Sequence, residues 1–392
     1  MKKIAVIGAG ITGIMAAYYL ARAGHQVTVF EQERYAAMRT SYANGGQISV
    51  SNSEVWTTWS NVRKGISWML RKDASLLIRP RPDLDKLVWL SKFLLETIGN
   101  NYAKNTTETI RLGLSSRNLY QDIIKNENIE FDFSQCGILH FYRNKKYFEN
   151  AQLVQELYRA SGCEWDILNP DSTKKLDPAL ENLSDVLGGA WTATDSVGDI
   201  HKFCQQLQQV LEIRYQVKFN FDHEIDKTEL NNLIARNDYV IISAGIGSTK
   251  LAQYIGNRLD IYPVKGYSIT INVRPDQMDL VPKISLLDDE AKIVSSTLGN
   301  RFRVAGTAEL AGENYDIRRD RIEPLLNWVH KNFPQLDTSN YSSWACLRPM
   351  TPNMMPIVKV SDKNPKVIYH TGHGHLGWTV SPATAMQMLN FI

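Results

Sequence analysis

No run of apolar residues in this 392-residue chain approaches the roughly 18 needed for a membrane-spanning helix, so no segment is expected to cross a bilayer. Blocks of one charge are missing too. Lys and Arg number 44 against 41 Asp and Glu, a net charge of +3, too weak for a surface that binds nucleic acid through bulk charge. Only four cysteines occur, Cys136, Cys163, Cys204 and Cys346, with no CxxC pair and no histidines at ligand spacing. Neither a structural zinc nor any other metal site is expected, and reduced thiols in a cytoplasmic chain are the expected state. Internal repeats and low-complexity tracts are absent. The N-terminal Met1-Lys2-Lys3 is charged like a signal peptide, yet the apolar run from Ile4 to Ile7 breaks at once into Gly8-Ala9-Gly10, leaving no h-region.

What remains is an ordinary globular composition, 43% hydrophobic and 22% charged, long enough for two domains around a shared core. Lys3 to Ile7 reads as a buried strand, Ile11 to Ala23 as a helix ended by Gly24, and Gln26 to Phe30 as a second strand, one βαβ unit. Val55 to Ile124 is mostly helical in pattern, broken by Arg79-Pro80-Arg81-Pro82. Strands are expected over 137–142, 215–221, 239–243, 262–272 and 301–307, and helices over 147–161 and 197–211. A closing helix is expected to start with Ser381 as N-cap and Pro382 in its first turn.

The sharpest local signal is Gly8-Ala9-Gly10-Ile11-Thr12-Gly13. The first glycine suits the tight turn, the second close approach of a pyrophosphate, and the third close packing of helix on strand. The helix N-terminus adds unpaired N–H groups and a positive dipole end. Glu31 closes the second strand at the spacing of a carboxylate that accepts from ribose hydroxyls, which also argues against a 2′-phosphate. Between FAD and NAD, two distant segments favour FAD. One is the second glycine turn, Ala244-Gly245-Ile246-Gly247, and the other is Thr371-Gly372-His373-Gly374-His375-Leu376-Gly377-Trp378.

Four further segments follow in order: Ser41-Tyr42-Ala43-Asn44-Gly45-Gly46-Gln47-Ile48-Ser49, Tyr262-Pro263-Val264-Lys265-Gly266-Tyr267-Ser268, Leu347-Arg348-Pro349-Met350-Thr351-Pro352, and Thr371 through Thr379. With the N-terminal fingerprint they resemble the small FAD subunit of bacterial D-amino-acid dehydrogenase, within the superfamily of D-amino-acid oxidase, glycine oxidase and sarcosine oxidase. The resemblance implies an α/β fold, a Rossmann-like FAD-binding domain with a substrate domain built on a large mixed β-sheet. The expected division assigns 1–134, 196–256 and 345–392 to the FAD-binding domain, with a helical insert over about 53–104, and 135–195 and 257–344 to the substrate domain. It implies oxidative deamination of small amino acids, most of all D-amino acids, by hydride transfer from Cα to flavin N5, with electrons passed to a membrane quinone or another acceptor rather than to NAD. The family pattern usually continues beyond the last helix, and Val380-Ser381-Pro382-Ala383 replaces its small residues and glycine. A flavin-carrying partner subunit, an oxidase of glycine, sarcosine or imino acids, and an NAD-dependent dehydrogenase stay open as alternatives.

Arg348 is the candidate for the substrate carboxylate, because a guanidinium fork matches it bidentately. Tyr267 is expected to donate a second hydrogen bond there, and His373, preferred over His375, to touch the substrate amine or the flavin edge. The candidate cofactor contacts are Gly8, Gly10, Ile11, Thr12, Gly13, Glu31, Gln32, Ser41, Asn44, Gln47, Ile48, Ile225, Ala244, Gly245, Gly374, Leu376, Gly377, Trp378 and Thr379. Lys265 is a candidate for neutralising flavin charge. Trp56, Trp59, Trp68 and Trp89, interleaved with Arg63, Lys64, Arg71 and Lys72, fit either core packing or a peripheral contact with the inner face of the cytoplasmic membrane.

Overall fold

The structure is a computed structural model that describes residues 1–68, 76–78, 83–99, 101–181 and 183–392. The expected break at Arg79–Pro82 and the basic residues Arg71 and Lys72 lie outside the described residues, as do the side chains of Lys64 and Trp68. Described strands are β1 (Lys3–Ile7), β2 (Gln26–Phe30), β3 (Gln47–Ile48), β4 (Leu76–Ile78), β5 (Ile138–Tyr142), β6 (Asp166–Leu168), β7 (Gly188–Thr192), β8 (Ser196–Val197) and β9 (Lys218–Asn220). They continue with β10 (Tyr239–Ile242), β11 (Tyr262–Asn272), β12 (Ser285–Asp288), β13 (Ile293–Leu298), β14 (Arg301–Leu310), β15 (Tyr341–Met350), β16 (Ile357–Val360) and β17 (Val367–Thr371). The helices are α1 (Ile11–Arg22), α2 (Trp59–Trp68), α3 (Leu84–Ile98), α4 (Tyr102–Glu127), α5 (Lys145–Ala160), α6 (Pro170–Lys175), α7 (Ile200–Tyr215), α8 (Lys227–Arg236), α9 (Ser248–Tyr254), α10 (Arg319–Asn332) and α11 (Gly377–Leu389).

Two sheets organise these elements. The first has the order β16-β17-β10-β1-β2-β9. β1 lies at its centre, paired in parallel with β2 and β10, and buried at four of its five positions, as a strand covered on both faces should be. The second runs β15-β11-β14-β13-β12-β5-β7-β6, with β4 added on β14, and mixes antiparallel pairs with the parallel β12–β5 and β14–β4 pairs. This is the α/β architecture expected. Helices α1, α4, α7 and α11 share one core, in which Ile14, Tyr18, Ile123, Phe203 and Trp378 pack together. Helix α10 covers the far face of the second sheet, with Leu325, Trp328 and Val329 against Tyr267, Ile269 and Ile271.

Three expectations are corrected. Ser381 and Pro382 do not open the last helix: α11 begins at Gly377 and Pro382 lies inside it. A proline there removes the N–H due to the carbonyl four residues back. That carbonyl, on Trp378, accepts instead from the Tyr120 hydroxyl at 2.5 Å. The strand expected over 215–221 shrinks to β9, because α7 persists to Tyr215 and ends at Gln216 in the left-handed region, φ 57°. The boundary expected at 344/345 falls within β15, which pairs with β11 from Tyr341 to Met350. Among the described residues no helix is long and apolar enough to cross a membrane.

Asp199 ties the two sheets to α7. Its carboxylate caps α7 through the N–H groups of His201 and Lys202 and meets Arg301 at 2.9 Å and Arg303 at 3.3 Å. Burial alone would raise the Asp199 carboxyl. Arg303, the Lys202 N–H and Arg301 outweigh it and hold the group below the ordinary aspartate range. Its contribution is therefore complete above the unfolded value of about 3.9 and is lost as pH falls through the lower folded value. Asp199→Ala takes the carboxylate from buried Arg303, while Arg301 keeps Asp132, and is expected to cost about 3–5 kcal/mol of stability, read by denaturant unfolding at neutral pH. A loss below about 1 kcal/mol would show the network to be idle.

Candidate active site

The turn after β1 is shaped by glycines that the fold itself demands. Gly8 has φ +103°, and a Cβ there would stand 2.6 Å from the Ser243 carbonyl oxygen. A Cβ on Gly13 would lie 1.8 Å from the Gly8 carbonyl oxygen, so any side chain would push α1 off β1. Gly10 differs: its Cβ position meets only Ser41 Oγ at 3.5 Å. Its bareness leaves open space above the helix N-terminus rather than relieving a clash. Ser41 Oγ accepts from the Ile11 N–H at 3.1 Å, and the rest of the first turn has no intrahelical acceptor for its N–H groups. Thr12 Oγ1 donates to the Ser243 carbonyl at 3.4 Å, which brings the second glycine turn, Ala244-Gly245, beside the first. The buried Ser243 hydroxyl itself has no partner.

Glu31 stands at the end of β2 with Oε2 accepting from the Ala9 N–H at 2.6 Å and Oε1 from the Glu33 N–H at 3.0 Å. Burial raises its carboxyl pKa, and these two N–H groups oppose the rise. Each oxygen keeps a lone pair for a ribose hydroxyl. Gln32 beside it is exposed. The Ile225 side chain is buried with Ile7 and Leu230, so any contact it makes with a ligand is through its backbone.

Residues 40–49 cross from this turn to the second sheet. Thr40 Oγ1 donates to the Leu347 carbonyl, and Ser268 Oγ to the Ala43 carbonyl, at 2.8 and 2.7 Å. Asn44 Oδ1 accepts from the Gly46 N–H and shapes the loop. Gln47 Nε2 donates to Ser285 Oγ and the Leu286 carbonyl, and Ile48 is buried among Tyr120, Phe131 and Trp378. Both side chains are thus used to anchor the loop, and only their backbone is available to a cofactor. Thr379 Oγ1 accepts from the Ser49 N–H, Trp378 and Leu376 are buried, and Gly377 opens α11. Gly374, at φ +58°, packs against Met350 Sδ.

Under this loop lies Arg348. Its guanidinium occupies the space where a Cβ on Gly266 would be, 2.3–2.5 Å from that position. Nη1 donates to the Thr307 carbonyl at 3.3 Å, and Thr307, a β-branched residue at φ 57°, leaves its own buried hydroxyl without a partner. Among the described residues no carboxylate pairs with Arg348. Burial lowers its pKa, and the only opposing influence is Cys346. His375 stacks on Trp56, ring centroids 4.8 Å apart and 24° from parallel. Burial, then Arg348, holds its pKa down to about 3, so the ring is neutral at physiological pH.

Three candidates are placed elsewhere. Tyr267 points to the opposite face of β11 from Gly266, where its hydroxyl donates to Glu309 at 2.6 Å within the α10 core. Lys265 shares that face, fully buried, with Nζ on Asn314. Side chains alternate along a strand, so a site facing Gly266 and Ser268 cannot also receive 265 and 267. His373 is 4% exposed, with Nε2 on Thr384 Oγ1 at 2.9 Å and its ring against His370. The structure moves the open position to His375. Glycine spacing in Gly372-His373-Gly374-His375 does not reveal which ring turns outward. Trp56 and Thr307 carried no signal in the sequence that marked them for the site.

A family model described as DAO, FAD dependent oxidoreductase, matches residues 3–390. The D-amino acid dehydrogenase 3 of Mesorhizobium japonicum is 45% identical, with 100% of this chain and 97% of that protein aligned. Glycine oxidase from Bacillus cereus has a similar fold, with TM-score 0.72 and 17% identity over 100% of this chain and 94% of that one. So does the L-alpha-glycerophosphate oxidase of Mycoplasma pneumoniae, solved with FAD bound, at TM-score 0.72 and 18% identity over 100% and 95%.

The glycine cradle makes a direct test. Gly13→Val is expected to purify without the visible absorbance of bound flavin, with a lowered melting temperature from the α1–β1 clash. A variant of full flavin content would show that the turn does not hold the cofactor.

Proposed function

The chain belongs to the DAO family of FAD dependent oxidoreductases, and on that premise we propose that it oxidatively deaminates amino acids of the D configuration, with Arg348 holding the substrate carboxylate. The observation that carries this reading is the Arg348 guanidinium, lodged over Gly266 with a backbone carbonyl as its single hydrogen-bond partner among the described residues. A half-buried cation short of a counter-charge is costly. A bidentate carboxylate from the ligand supplies what is missing. The D configuration is taken from the name of the 45% identical relative.

The residues present fit FAD. Gly8, Gly10, Ile11, Thr12, Gly13, Ser41 and the second turn at Ala244-Gly245 would hold the pyrophosphate, Glu31 the ribose, and the backbone of 44–48 and 374–379 the flavin end. When bound, FAD accepts the hydride that leaves the substrate Cα. The chain's own contribution is placement. Arg348 fixes the carboxylate, and so restricts where Cα lies. The Trp56–His375 stack walls off water. His375, neutral, adds no second positive charge to repel an incoming amino group. Oxidation of a neutral amine needs no paired acid and base, and none stands beside Arg348.

Electrons would pass on to a quinone at the membrane. A surface for that contact is α3, where Leu84, Leu87, Leu95 and Ile98 are 57–81% exposed. Their spacing puts them on one stripe, and exposed Trp59 is 51% accessible, in the preceding helix. Trp89 does not take part; it is buried with its indole N–H on the Met350 carbonyl. The stripe suits partial insertion into a lipid interface.

Arg348→Lys is expected to raise KM for D-amino acids at least about tenfold with flavin content retained, because one ammonium replaces a two-point clamp. An unchanged KM removes Arg348 from the site. The wild-type protein should float with anionic liposomes at low salt and Leu87→Asp/Leu95→Asp should not; equal behaviour of the two ends the membrane assignment.

A further inference from the structure

Charge is gathered further along the wall that Trp56 begins. Residues 53–57 form neither helix nor strand, and their burial alternates: Ser53, Val55 and Thr57 are buried, whereas Asn52, Glu54 and Trp56 are half-accessible. Period-two alternation sets Glu54 and Trp56 on one face, with Cα atoms about 7 Å apart in an extended segment. Trp56 is the residue stacked on His375, so Glu54 is the next side chain along that face. Tyr102 donates its hydroxyl to Glu54 Oε1 at 2.9 Å. Among the described residues Oε2 accepts no hydrogen bond.

The neighbours of Glu54 are charged but engaged with one another. Lys292 Nζ donates to Asp289 Oδ1 at 2.6 Å. Asp289 Oδ2 lies 3.3 Å from His140 Nδ1, and His140 Nε2 meets Ser51 Oγ at 3.1 Å. Two carboxylates thus face one ammonium. Lys292 is engaged by Asp289, so Glu54 has no cation hydrogen-bonded to it among the described residues. Burial raises the Glu54 carboxyl pKa, and Lys292 opposes the rise; a cation placed against Oε2 would oppose it further.

Glu54 is not placed to take the α-amino group. Arg348 donates to the Thr307 carbonyl and Glu54 accepts from Tyr102, and among the described residues the two form no ion pair with each other. An α-carboxylate and its amine share one carbon, so a ligand clamped by Arg348 cannot bring its amine to Glu54. The end of a long side chain can, since an extended lysine or arginine reaches roughly 6–8 Å beyond Cα by ordinary bond lengths.

Resting on the reading of Arg348 as the carboxylate clamp, we propose that Glu54 sets side-chain specificity and that the enzyme favours basic amino acids, whose cationic end lies on Glu54 beside Tyr102. An anionic side chain would meet the Glu54 carboxylate and is disfavoured. A neutral chain of equal length fills the space but leaves Glu54 Oε2 without a donor.

The test compares kcat/KM of the flavin-loaded protein for D-lysine and D-norleucine, which share a chain length and differ at its end, with a dye as electron acceptor. The expected result is at least a tenfold preference for D-lysine, and a fall of at least tenfold in that ratio in Glu54→Gln. A ratio near one in the wild type, or unchanged in Glu54→Gln, overturns the inference while turnover of D-norleucine leaves the deamination reading standing. No turnover of any D-amino acid overturns that reading, and this inference with it. Should Glu54→Gln lose its flavin, Glu54→Asp decides: the retracted carboxylate must lower the D-lysine to D-norleucine ratio, and an unchanged or raised ratio overturns the inference.

Discussion

The site is organised around one unpaired cation. Arg348 lies on β15 with its guanidinium flat over Gly266 of β11, and its single hydrogen bond goes to a backbone carbonyl. In a protein interior a guanidinium normally brings a carboxylate with it, because desolvation otherwise exceeds what a neutral acceptor returns. Elsewhere this chain obeys that rule closely: Arg303 and Arg301 share Asp199, and Arg143 meets Asp288. The exception at Arg348 is thus informative. It also dictates its surroundings, since only a glycine at 266 leaves the guanidinium room to lie flat on the strand.

The glycine turn of the first sheet and Arg348 of the second are connected through one loop. Residues 40–49 do the joining, hydrogen-bonded to α1 at one end through Ser41 and to β11 and β15 at the other through Ala43 and Thr40. The same loop binds α11 through Ser49 and Thr379. Its polar side chains are therefore consumed by the protein, which leaves backbone groups to face a cofactor. That arrangement suits a large planar ligand held for the life of the enzyme: rigid amides keep their geometry where rotatable side chains would not.

How much of this was readable beforehand follows the range of the interaction concerned. The βαβ unit, its glycines and Glu31 were legible, because strand, turn, helix and carboxylate all lie within one local stretch and each has its own steric or electrostatic signature. Arg348 was singled out by its segment and its chemistry, and the structure places it over Gly266 with no carboxylate paired to it among the described residues. Tyr267 and His373 were misplaced for a different reason. Motif membership does not say which face of a strand or loop a side chain takes, and that is decided by register: β11 turns 266 and 268 inward and sends Tyr267 to Glu309. Pro382 misled similarly. Its usual meaning at a helix start was overridden by Tyr120, 262 positions earlier, whose hydroxyl takes over the stranded carbonyl. Glu54 left no motif at all, and gains meaning only from the alternation that aligns it with Trp56.

Thr307 shows what such a site demands of its scaffold. A threonine at φ 57° sits where L residues with branched side chains are rare, at a cost of about 1–3 kcal/mol. β14 pairs regularly with β13 up to Gly306, but its register against β11 shifts here, from Tyr267–Gly306 to Lys265–Glu309, so Thr307 lies in a β-bulge opposite Gly266. The left-handed turn at 307 swings the peptide so that its carbonyl meets Arg348 Nη1. With one carbonyl engaged on Nη1, the guanidinium plane is set, and its remaining donors are held in a fixed direction before any ligand arrives. The left-handed threonine, the cation without a carboxylate partner among the described residues and the bare glycine beneath it are therefore three aspects of a single arrangement; under the proposed function, it would present a carboxylate with a fork already oriented.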